Sequence, residues 1–235
     1  MEYIINGFVE AFRLLFSFDP EIIQIVLLSL FVSFSSTLYA TIIGVPLGIL
    51  LGITDFKGKQ IVSRLLYTFM SFPPVVIGLF TALFLARSGP FGQFKLMYTT
   101  TAMIVAQTIL VTPVIMGIVF NNATTSGYEV VLTGKTLGAG KRDTLFLLIA
   151  ELKGTIMIAL VTGFGRAISE VGAVMIVGGN IRGFTRVMTT FIAMNNNMGE
   201  YSTAIAMGII LMTISFITNS ILYKYIIGDA NEYRD

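Results

Sequence analysis

The 235-residue sequence contains no cysteine and no histidine, and only 12% of its residues are charged. These absences exclude disulfides, thiol chemistry and histidine-ligated metal sites. Soluble domains carry roughly 25% charged residues. The net charge of +2 is too small to indicate a nucleic-acid partner. Since 55% of the residues are hydrophobic and the mean hydropathy is +0.85, the composition favours an integral membrane protein that lies in a lipid bilayer.

Five stretches of the chain are long and apolar enough to cross a bilayer, which takes about 20 residues. Four of them carry no charge, and the fifth contains only Arg166 and Glu170. Their continuous apolar character differs from the alternating strands of a membrane β-barrel. We therefore predict an all-α, polytopic membrane helical bundle with about five transmembrane helices, at residues 22–54, 65–86, 96–128, 154–181 and 201–223.

The first 20 residues differ from the spans because they contain Glu2, Glu10 and Arg13. They lack the basic start of a cleaved signal peptide. Their large apolar residues recur at helical spacing, which favours an interfacial amphipathic helix or, alternatively, the start of a longer first span; these are Phe8, Phe12, Leu15 and Phe16. The predicted domains are this N-terminal segment at 1–20, a transmembrane domain at 21–228 and a short tail at 229–235.

The basic residues predict how the chain is oriented. With five spans, the loops around residues 55–64 and 121–153 and the tail after residue 223 share one side, which holds nine lysines and arginines. The other side holds five, without Arg166. Cytoplasmic loops are enriched in basic residues. We therefore expect a cytoplasmic C-terminus and an N-terminus outside the cell.

The loop at residues 128–153 is long for a connection, and loops of this length are usually structured or functional. Residues 132–137 predict a short helix, and Gly138 and Gly140 predict a turn, because glycine readily adopts positive φ. Leu145, Leu148 and Leu152 then recur at helical spacing. The result is a cytoplasmic projection that docks into a groove of another protein or serves as an ordinary interfacial connection.

Arg166 and Glu170 are four residues apart, so the pattern predicts that both lie on one helix face as an ion pair. A lone charge at membrane depth costs about 2.5–3.5 kcal/mol or more. One interpretation is a pair that only specifies the fold. In the other, Arg166, Ser169 and Glu170 line or gate a translocation path. Small neighbours, Gly165, Gly172 and Ala173, would then allow close approach to a second copy of the helix.

The stretch "GGNIRGFTR" at residues 178–186 follows at the predicted outer end. Its glycines expose backbone N–H groups, and its side chains add hydrogen-bond donors of a kind that binds oxyanions; these are Asn180, Arg182, Thr185 and Arg186. Three interpretations stay open. The stretch receives an anion, it forms salt bridges to a binding protein, or it is a solvated loop that contacts lipid headgroups.

Several motifs resemble those of a known transporter family. "KTLGAGKRDTLFLLIAE" is similar to the cytoplasmic coupling loop of binding-protein-dependent ABC importer permeases, with Gly138 on the motif glycine. Leu132, Thr133 and Gly134 stand where that motif has Glu-Ala-Ala, and Glu151 stands near its closing proline. The segment 163–194, "SFPPVVIGL" at 71–79 and "RSGPFG" at 87–92 resemble the tungstate-type permeases within the molybdate/sulfate/tungstate branch.

The resemblance covers about residues 19–223 and implies a type I ABC importer permease that moves an oxyanion, with tungstate ahead of molybdate and sulfate. It implies two copies of this chain, two copies of a cytoplasmic ATPase and an extracytoplasmic solute-binding protein. The implied contact with the ATPase is Lys135, Thr136, Leu137, Gly138, Ala139 and Gly140.

The sequence has no phosphate-binding loop, because "TGKTLGAGK" lacks the first glycine of that motif. We expect no cofactor in this chain, with ATP and magnesium held by the ATPase. The competing class is a membrane enzyme or a channel that acts alone. An enzyme needs converging catalytic side chains, and a channel needs no docking projection. Association with an ATPase that depends on Gly138 separates these classes.

Overall fold

The computed structural model describes residues 2–16 and 19–231. The described residues form α-helices, one short 3₁₀ helix at Gly92–Phe94, one π-helical segment at Ala123–Gly127 and no strand. The ten α-helices are α1 (Glu2–Phe16), α2 (Pro20–Ile53), α3 (Lys59–Met70), α4 (Pro74–Leu85), α5 (Thr100–Asn122), α6 (Tyr128–Thr136), α7 (Lys141–Ile168), α8 (Gly172–Gly178), α9 (Met188–Asn197) and α10 (Tyr201–Asn231).

Four helical stretches are long and apolar enough to cross a membrane, at Pro20–Ile53, Thr100–Thr136, Arg142–Ile168 and Tyr201–Ile221. The pair α3 and α4 supplies a fifth if it is one broken span. The chain is therefore a polytopic membrane protein. The predicted all-α fold with about five transmembrane helices is confirmed.

The second span is broken where the sequence has Pro73 and Pro74. Helix α3 ends at Met70, and α4 begins at Pro74. Pro74 is the first residue of α4, where its missing N–H costs no helical hydrogen bond. Pro46 and Pro113, in contrast, lie inside the uninterrupted helices α2 and α5. The paired prolines thus produce a break, and the single prolines do not end their helices.

Two helices depart from the predicted spans. Beyond the predicted end of the third span at residue 128, helical backbone continues from α5 through the π segment into α6. The fourth predicted span, at residues 154–181, is not a single helix. Helix α7 begins at Lys141, inside the predicted cytoplasmic loop, and ends at Ile168. A separate short helix, α8, follows after a break at residues 169–171.

Helix α1 is a helix of its own, 15 residues long. That is shorter than the roughly 20 residues a span requires, which favours the interfacial helix over a longer first span. Phe8 is exposed, whereas Ala11 is buried, and Gly7 lies against Ile205 of α10. The side chains of Phe12, Leu15 and Phe16 are not among those that the structure describes. The predicted tail begins within α10, and residues 232–235 are not described.

The chain forms two compact units. The first comprises Pro73–Gln107, Gly165–Ile221 and the described residues up to Ser36. Its core lies around α4 and α8, with Leu85, Val174 and Val177 among the buried residues. A Cβ at Gly78 of α4 would lie 2.6 Å from the Cα of Ala173 in α8. The two helices therefore touch through their backbones, as small residues allow in membrane proteins.

The second unit comprises Thr37–Phe72, Thr108–Phe164 and the described residues from Leu222 onward. Helix α2 presents Gly44, Gly48 and Gly52 at four-residue intervals to the helix that continues from α5. A Cβ at Gly48 would lie 2.8 Å from the carbonyl oxygen of Met116, and one at Gly52 would lie 2.6 Å from the Cβ of Ala123. This glycine face holds the two helices in direct backbone contact.

Candidate functional site

Helices α6 and α7 form a hairpin, which we name the coupling hairpin (residues 128–153), in the second unit. The short helix and glycine turn expected from the sequence are confirmed, with α6 ending at Thr136 and α7 beginning at Lys141. Gly138 has φ of 74°, a left-handed backbone that glycine adopts without strain. The backbone N–H of Ala139 donates to the carbonyl of Gly134 at 2.8 Å. This closure satisfies a carbonyl that the end of α6 would otherwise leave free.

The far side of the turn is also fixed. Asp143 accepts the backbone N–H of Gly140 at 3.1 Å, and Thr144 donates its hydroxyl to the carbonyl of Gly140 at 3.0 Å. Farther along α7, Leu148 and Leu152 are fully buried and anchor the hairpin. The turn at the tip is thus held by hydrogen bonds on both of its sides.

The tip presents one large apolar side chain to its surroundings. Leu137 is 79% exposed, the largest exposed fraction among the large hydrophobic side chains described. Lys135, Thr136, Gly138 and Gly140 are also exposed, and Ala139 is half-buried. Beside the tip lies a cleft of about 740 Å³ whose lining includes Thr133, Leu137 and Glu151. An exposed apolar side chain on a hydrogen-bonded turn is suited to enter a hydrophobic groove of a partner.

The expected ion pair between Arg166 and Glu170 is wrong. Because α7 ends at Ile168, Glu170 lies past the helix, and the i to i+4 spacing no longer places the two side chains side by side. The carboxylate of Glu170 accepts the backbone N–H of Ala173 at 3.0 Å instead. Arg166 is half-buried, and no ion pair to it occurs among residues 2–16 and 19–231.

The break after α7 is held by buried polar side chains from other elements. Gln107 of α5 donates from its amide nitrogen to the carbonyl of Ala167 at 3.0 Å and accepts the hydroxyl of Ser36 at 2.9 Å. Thr189 of α9 donates to the carbonyl of Glu170 at 2.7 Å. These bonds satisfy backbone groups that a helix end leaves unpaired, which is required in an apolar environment.

Glu170 borders a small polar cavity in the first unit. The side chain is 4% exposed. The cavity measures about 10 Å³, and its lining includes Ser29, Ser33, Gln107 and Thr189. Space of this size, between hydroxyl, amide and carboxylate groups, is about what one water molecule needs. Ser169, in contrast, is exposed, and its hydroxyl donates to the carbonyl of Gly165 at 2.9 Å.

The small residues near the break have contacts within the chain. Gly172 lies against Val75 of α4, and Ala173 lies against Gly78 of the same helix. Their small size is therefore explained by the packing of α8 on α4 and requires no second copy of this helix. Gly165 differs, because a Cβ there would meet no atom within 4 Å.

The stretch from Gly178 to Arg186 follows α8, and Glu21 at the start of α2 is central to it. Arg182 forms a hydrogen bond and ion pair with one carboxylate oxygen of Glu21, and Arg186 donates to the other at 3.3 Å. The hydrogen bond and charge of Glu21 raise the pKa of Arg182, which stays cationic at all physiological pH values. Two arginines thus share the Glu21 carboxylate, and the nearby carboxylate of Asp19 also acts on Arg182.

The four predicted donors of this stretch have different surroundings. Thr185 is fully buried, and its hydroxyl donates to Gly178 and accepts the N–H of Ile181, so it fixes the loop. The Arg186 side chain is 14% exposed, and that of Arg182 is 73% exposed. Asn180 has a left-handed backbone, and its side-chain oxygen is buried without a partner in the described structure. Arg182 is therefore the donor that a partner reaches most directly.

The sequence predictions do not include the roles of Glu21 and Gln107. Glu21 is 161 residues from Arg182 and stands beside Asp19 in what reads as an ordinary start of a helix. Gln107 is an uncharged residue in a long apolar run. Its isolation there was a signal of a buried hydrogen-bonding role, because an unpaired amide at membrane depth costs several kcal/mol.

Comparison with known proteins relates the chain to a transporter family. Residues 44–226 match the family described as binding-protein-dependent transport system inner membrane component. A tungstate uptake system permease protein of Peptoclostridium acidaminophilum is 52% identical over 95% of this chain and 98% of its own length. A probable anion ABC transporter permease protein of Haloferax volcanii is 37% identical over 85% and 88%. A tungstate uptake system permease protein of Campylobacter jejuni is 34% identical over 95% and 94%.

Proposed function

Because the chain belongs to the family of binding-protein-dependent transport system inner membrane components, we propose that it is the permease through which a cell imports tungstate. The observation that carries this proposal is the 52% identity, over nearly the full length of both chains, to a permease named for tungstate uptake. A second permease with that name is 34% identical over 95% of the chain. Molybdate and sulfate are the alternative substrates, because they share the shape and charge of tungstate.

Permeases of this family act with an ATPase and a binding protein. We infer two copies of this chain, two copies of the ATPase on the cytoplasmic side and one binding protein outside. The excess of basic residues in the loops around 55–64 and 121–153 supports a cytoplasmic location for the coupling hairpin. ATP and magnesium would be bound by the ATPase, and this chain would hydrolyse none.

The coupling hairpin would transmit the work of the ATPase. Its exposed Leu137 inserts into a groove of the ATPase, and Lys135 and Thr136 contact the rim. The ATP-bound and ATP-free states of that partner then hold the hairpin differently, and this difference in contacts supplies the free energy for alternating access. The hydrogen-bonded turn at Gly138 and Gly140 supports this role, because a loose loop would absorb the movement.

Arg166 is the residue we propose to attract the anion within the membrane. Glu170, buried and hydrogen-bonded to Ala173, does not neutralise it. A half-buried guanidinium without an ion pair in the described structure is costly in an apolar environment, which supports a functional reason for its presence. In this scheme Glu170 holds the break between α7 and α8, and Ser169 lies exposed at the break beside the path.

On the outer side, we propose that Arg182 contacts the binding protein. Its exposed guanidinium supports contact with an acidic partner surface. Asn180 lies two residues before Arg182 and belongs to the same contact. Thr185 and Arg186 hold this loop in position through their bonds to Gly178, Ile181 and Glu21.

The proposed substrate is tested by metal accumulation in cells that express the chain with its ATPase and binding protein. Tungsten and molybdenum are counted by mass spectrometry, with sulfate as a competitor. Tungsten uptake that resists excess molybdate and sulfate, and that stops with Gly138→Pro, supports the proposal. Equal uptake of both metals would show that the permease transports molybdate as well as tungstate. Absence of both metals in cells that contain the assembled complex contradicts it.

A further inference from the structure

We propose that the permease has a second anion site, distinct from Arg166 and from the Arg182 loop. It is a cavity of about 540 Å³ in the first unit, between the end of α4 and the start of α5. Arg87, Lys95 and Tyr98 line it, together with Leu85, Ala86, Gly92 and Met97. This inference rests on the proposed function, because the ligand is taken to be the transported tetrahedral oxyanion on its way into the permease.

The residues that line the cavity include two cations and no carboxylate. Both Arg87 and Lys95 line it, and no carboxylate exists anywhere between Asp55 and Glu129 in the sequence. The described parts of the chain contain no ion pair to either residue. Arg182 and Arg186, in contrast, share Glu21. A concave site lined by charges of one sign raises the local concentration of an oppositely charged ligand.

The backbone around the cavity is held in conformations that L-residues rarely adopt. Three non-glycine residues among those described have positive φ, and two of them, Lys95 at 50° and Tyr98 at 62°, line the cavity. The third is Asn180, next to Gly179, against which the ring of Tyr98 packs. Such conformations are unfavourable in isolation and concentrate at functional sites.

The strained residues are fixed by neighbouring backbone. The N–H of Tyr98 donates to the carbonyl of Val177 in α8 at 2.9 Å, and that of Lys95 donates to Gly92 at 3.1 Å. Gly92 is buried and packs on the carbonyls of Ala86 and Arg87, which leaves no room for a side chain. The loop therefore holds its two cations over one cavity, so that little ordering is required when a ligand binds.

The chemistry of the lining suits a dianionic oxyanion. A guanidinium, an ammonium and the Tyr98 hydroxyl all donate hydrogen bonds, and charge-assisted bonds of this kind are the strong ones. Arg87 and Lys95 are exposed, so water competes with the ligand and keeps its binding weak. A transporter needs such a site, because an ion held too tightly does not move on.

Helix α8 connects this cavity to the break near Arg166. Val177, which accepts the N–H of Tyr98, lies near the end of α8, and Glu170 binds the N–H of Ala173 at its beginning. Seven residues of helix span roughly 10 Å. The cavity therefore lies at one end of α8, and the break at Glu170 lies at the other end.

A phospholipid headgroup offers the same phosphate chemistry as a free oxyanion, so the test separates the two sources. The complex of permease and ATPase is purified in lipid nanodiscs, and bound tungstate is counted by mass spectrometry after equilibrium dialysis. Native mass spectrometry of the same samples counts retained phospholipid. The double variant Arg87→Gln with Lys95→Gln is compared with the charge-matched control Arg13→Gln with Lys57→Gln.

We expect the double variant to bind tungstate at least about tenfold more weakly, since it removes two charge-assisted hydrogen bonds. The control variant should bind as the wild type does, and Arg87→Lys with Lys95→Arg should restore most of the binding. Equal binding by wild type and double variant overturns the inference. Loss of a retained phospholipid with unchanged tungstate binding also overturns it, in favour of a lipid site.

The outcome is separable from that of the proposed function. Wild-type uptake of tungsten in cells decides the function, and tungstate binding by the nanodisc variants decides the site. Affinity of the complex for its binding protein is measured in parallel. If the double variant loses that affinity and keeps tungstate binding, the two cations belong to the docking surface and the inference fails.

Discussion

At the scale of single residues, the hydrogen bonds around Glu170 decide what each charge near the break does. The carboxylate accepts the N–H of Ala173, whereas Arg166 has no ion pair among the described residues. Glu170 thus helps to hold the break, and the anion-attracting role that we propose for Arg166 does not involve an ion pair between the two residues. Two sets of substitutions distinguish these roles.

Glu170→Gln should fold and transport nearly as the wild type does, because an amide oxygen still accepts the N–H of Ala173. Glu170→Ala leaves that buried N–H without a partner, and we expect a loss of stability of about 1–3 kcal/mol. The measurement is the thermal unfolding midpoint of the purified complex together with tungsten uptake. Loss of uptake in Glu170→Gln at unchanged stability would show that the charge itself is needed.

Arg166→Gln should lower tungsten uptake at least about tenfold and change the unfolding midpoint little, because it removes a charge that stabilises no partner in the described structure. Arg166→Lys serves as the control, since it keeps the charge. The expectation fails if Arg166→Gln transports normally, or if it unfolds at a much lower temperature than Arg166→Lys.

At the scale of helices, close backbone contact holds α4 against α8. Gly78→Ala should destabilise the protein by about 1–3 kcal/mol, because the added methyl group would overlap Ala173. Gly154→Ala in α7 is a matched control. It has open space around it and should be neutral or stabilising by up to about 1 kcal/mol. Thermal unfolding of both variants tests this packing, and equal midpoints would contradict it.

The coupling hairpin gives a second prediction at this scale. Leu137→Asp should abolish association with the ATPase without changing the unfolding midpoint, because the leucine is already 79% exposed. Phe56→Asp, in the loop before α3, is the control and should leave association intact. Co-purification of the ATPase measures both. Retention of the ATPase by Leu137→Asp would exclude the tip as the docking element.

The helices show how far the sequence predicts the fold. Uncharged runs locate the spans, and glycines locate the turn of the hairpin, because both are local signals. The break at residues 169–171 has no proline or other local marker. It exists because Gln107, Thr189 and the carboxylate of Glu170 satisfy the backbone there, and two of these partners are distant in sequence. The spacing of Arg166 and Glu170 therefore predicts a pair on one helix face, whereas the structure ends α7 at Ile168 and does not form the pair.

At the scale of the whole molecule, the absence of cysteine makes the orientation directly measurable. Single substitutions Ser88→Cys and Lys57→Cys each introduce the sole thiol of the chain. A membrane-impermeant maleimide should label Ser88→Cys in intact cells and label Lys57→Cys only after the cells are permeabilised. The reverse pattern would invert the orientation and move the coupling hairpin to the outside.

The transport of tungstate is tested most directly with purified components. The permease and its ATPase are reconstituted into liposomes that enclose ATP and magnesium, and binding protein loaded with tungstate is added outside. We predict that tungsten accumulates inside only with ATP, and that excess molybdate and sulfate on their own binding proteins do not replace it. Accumulation without ATP would indicate a channel. A complex that hydrolyses ATP in response to the loaded binding protein but accumulates no tungsten would contradict tungstate import.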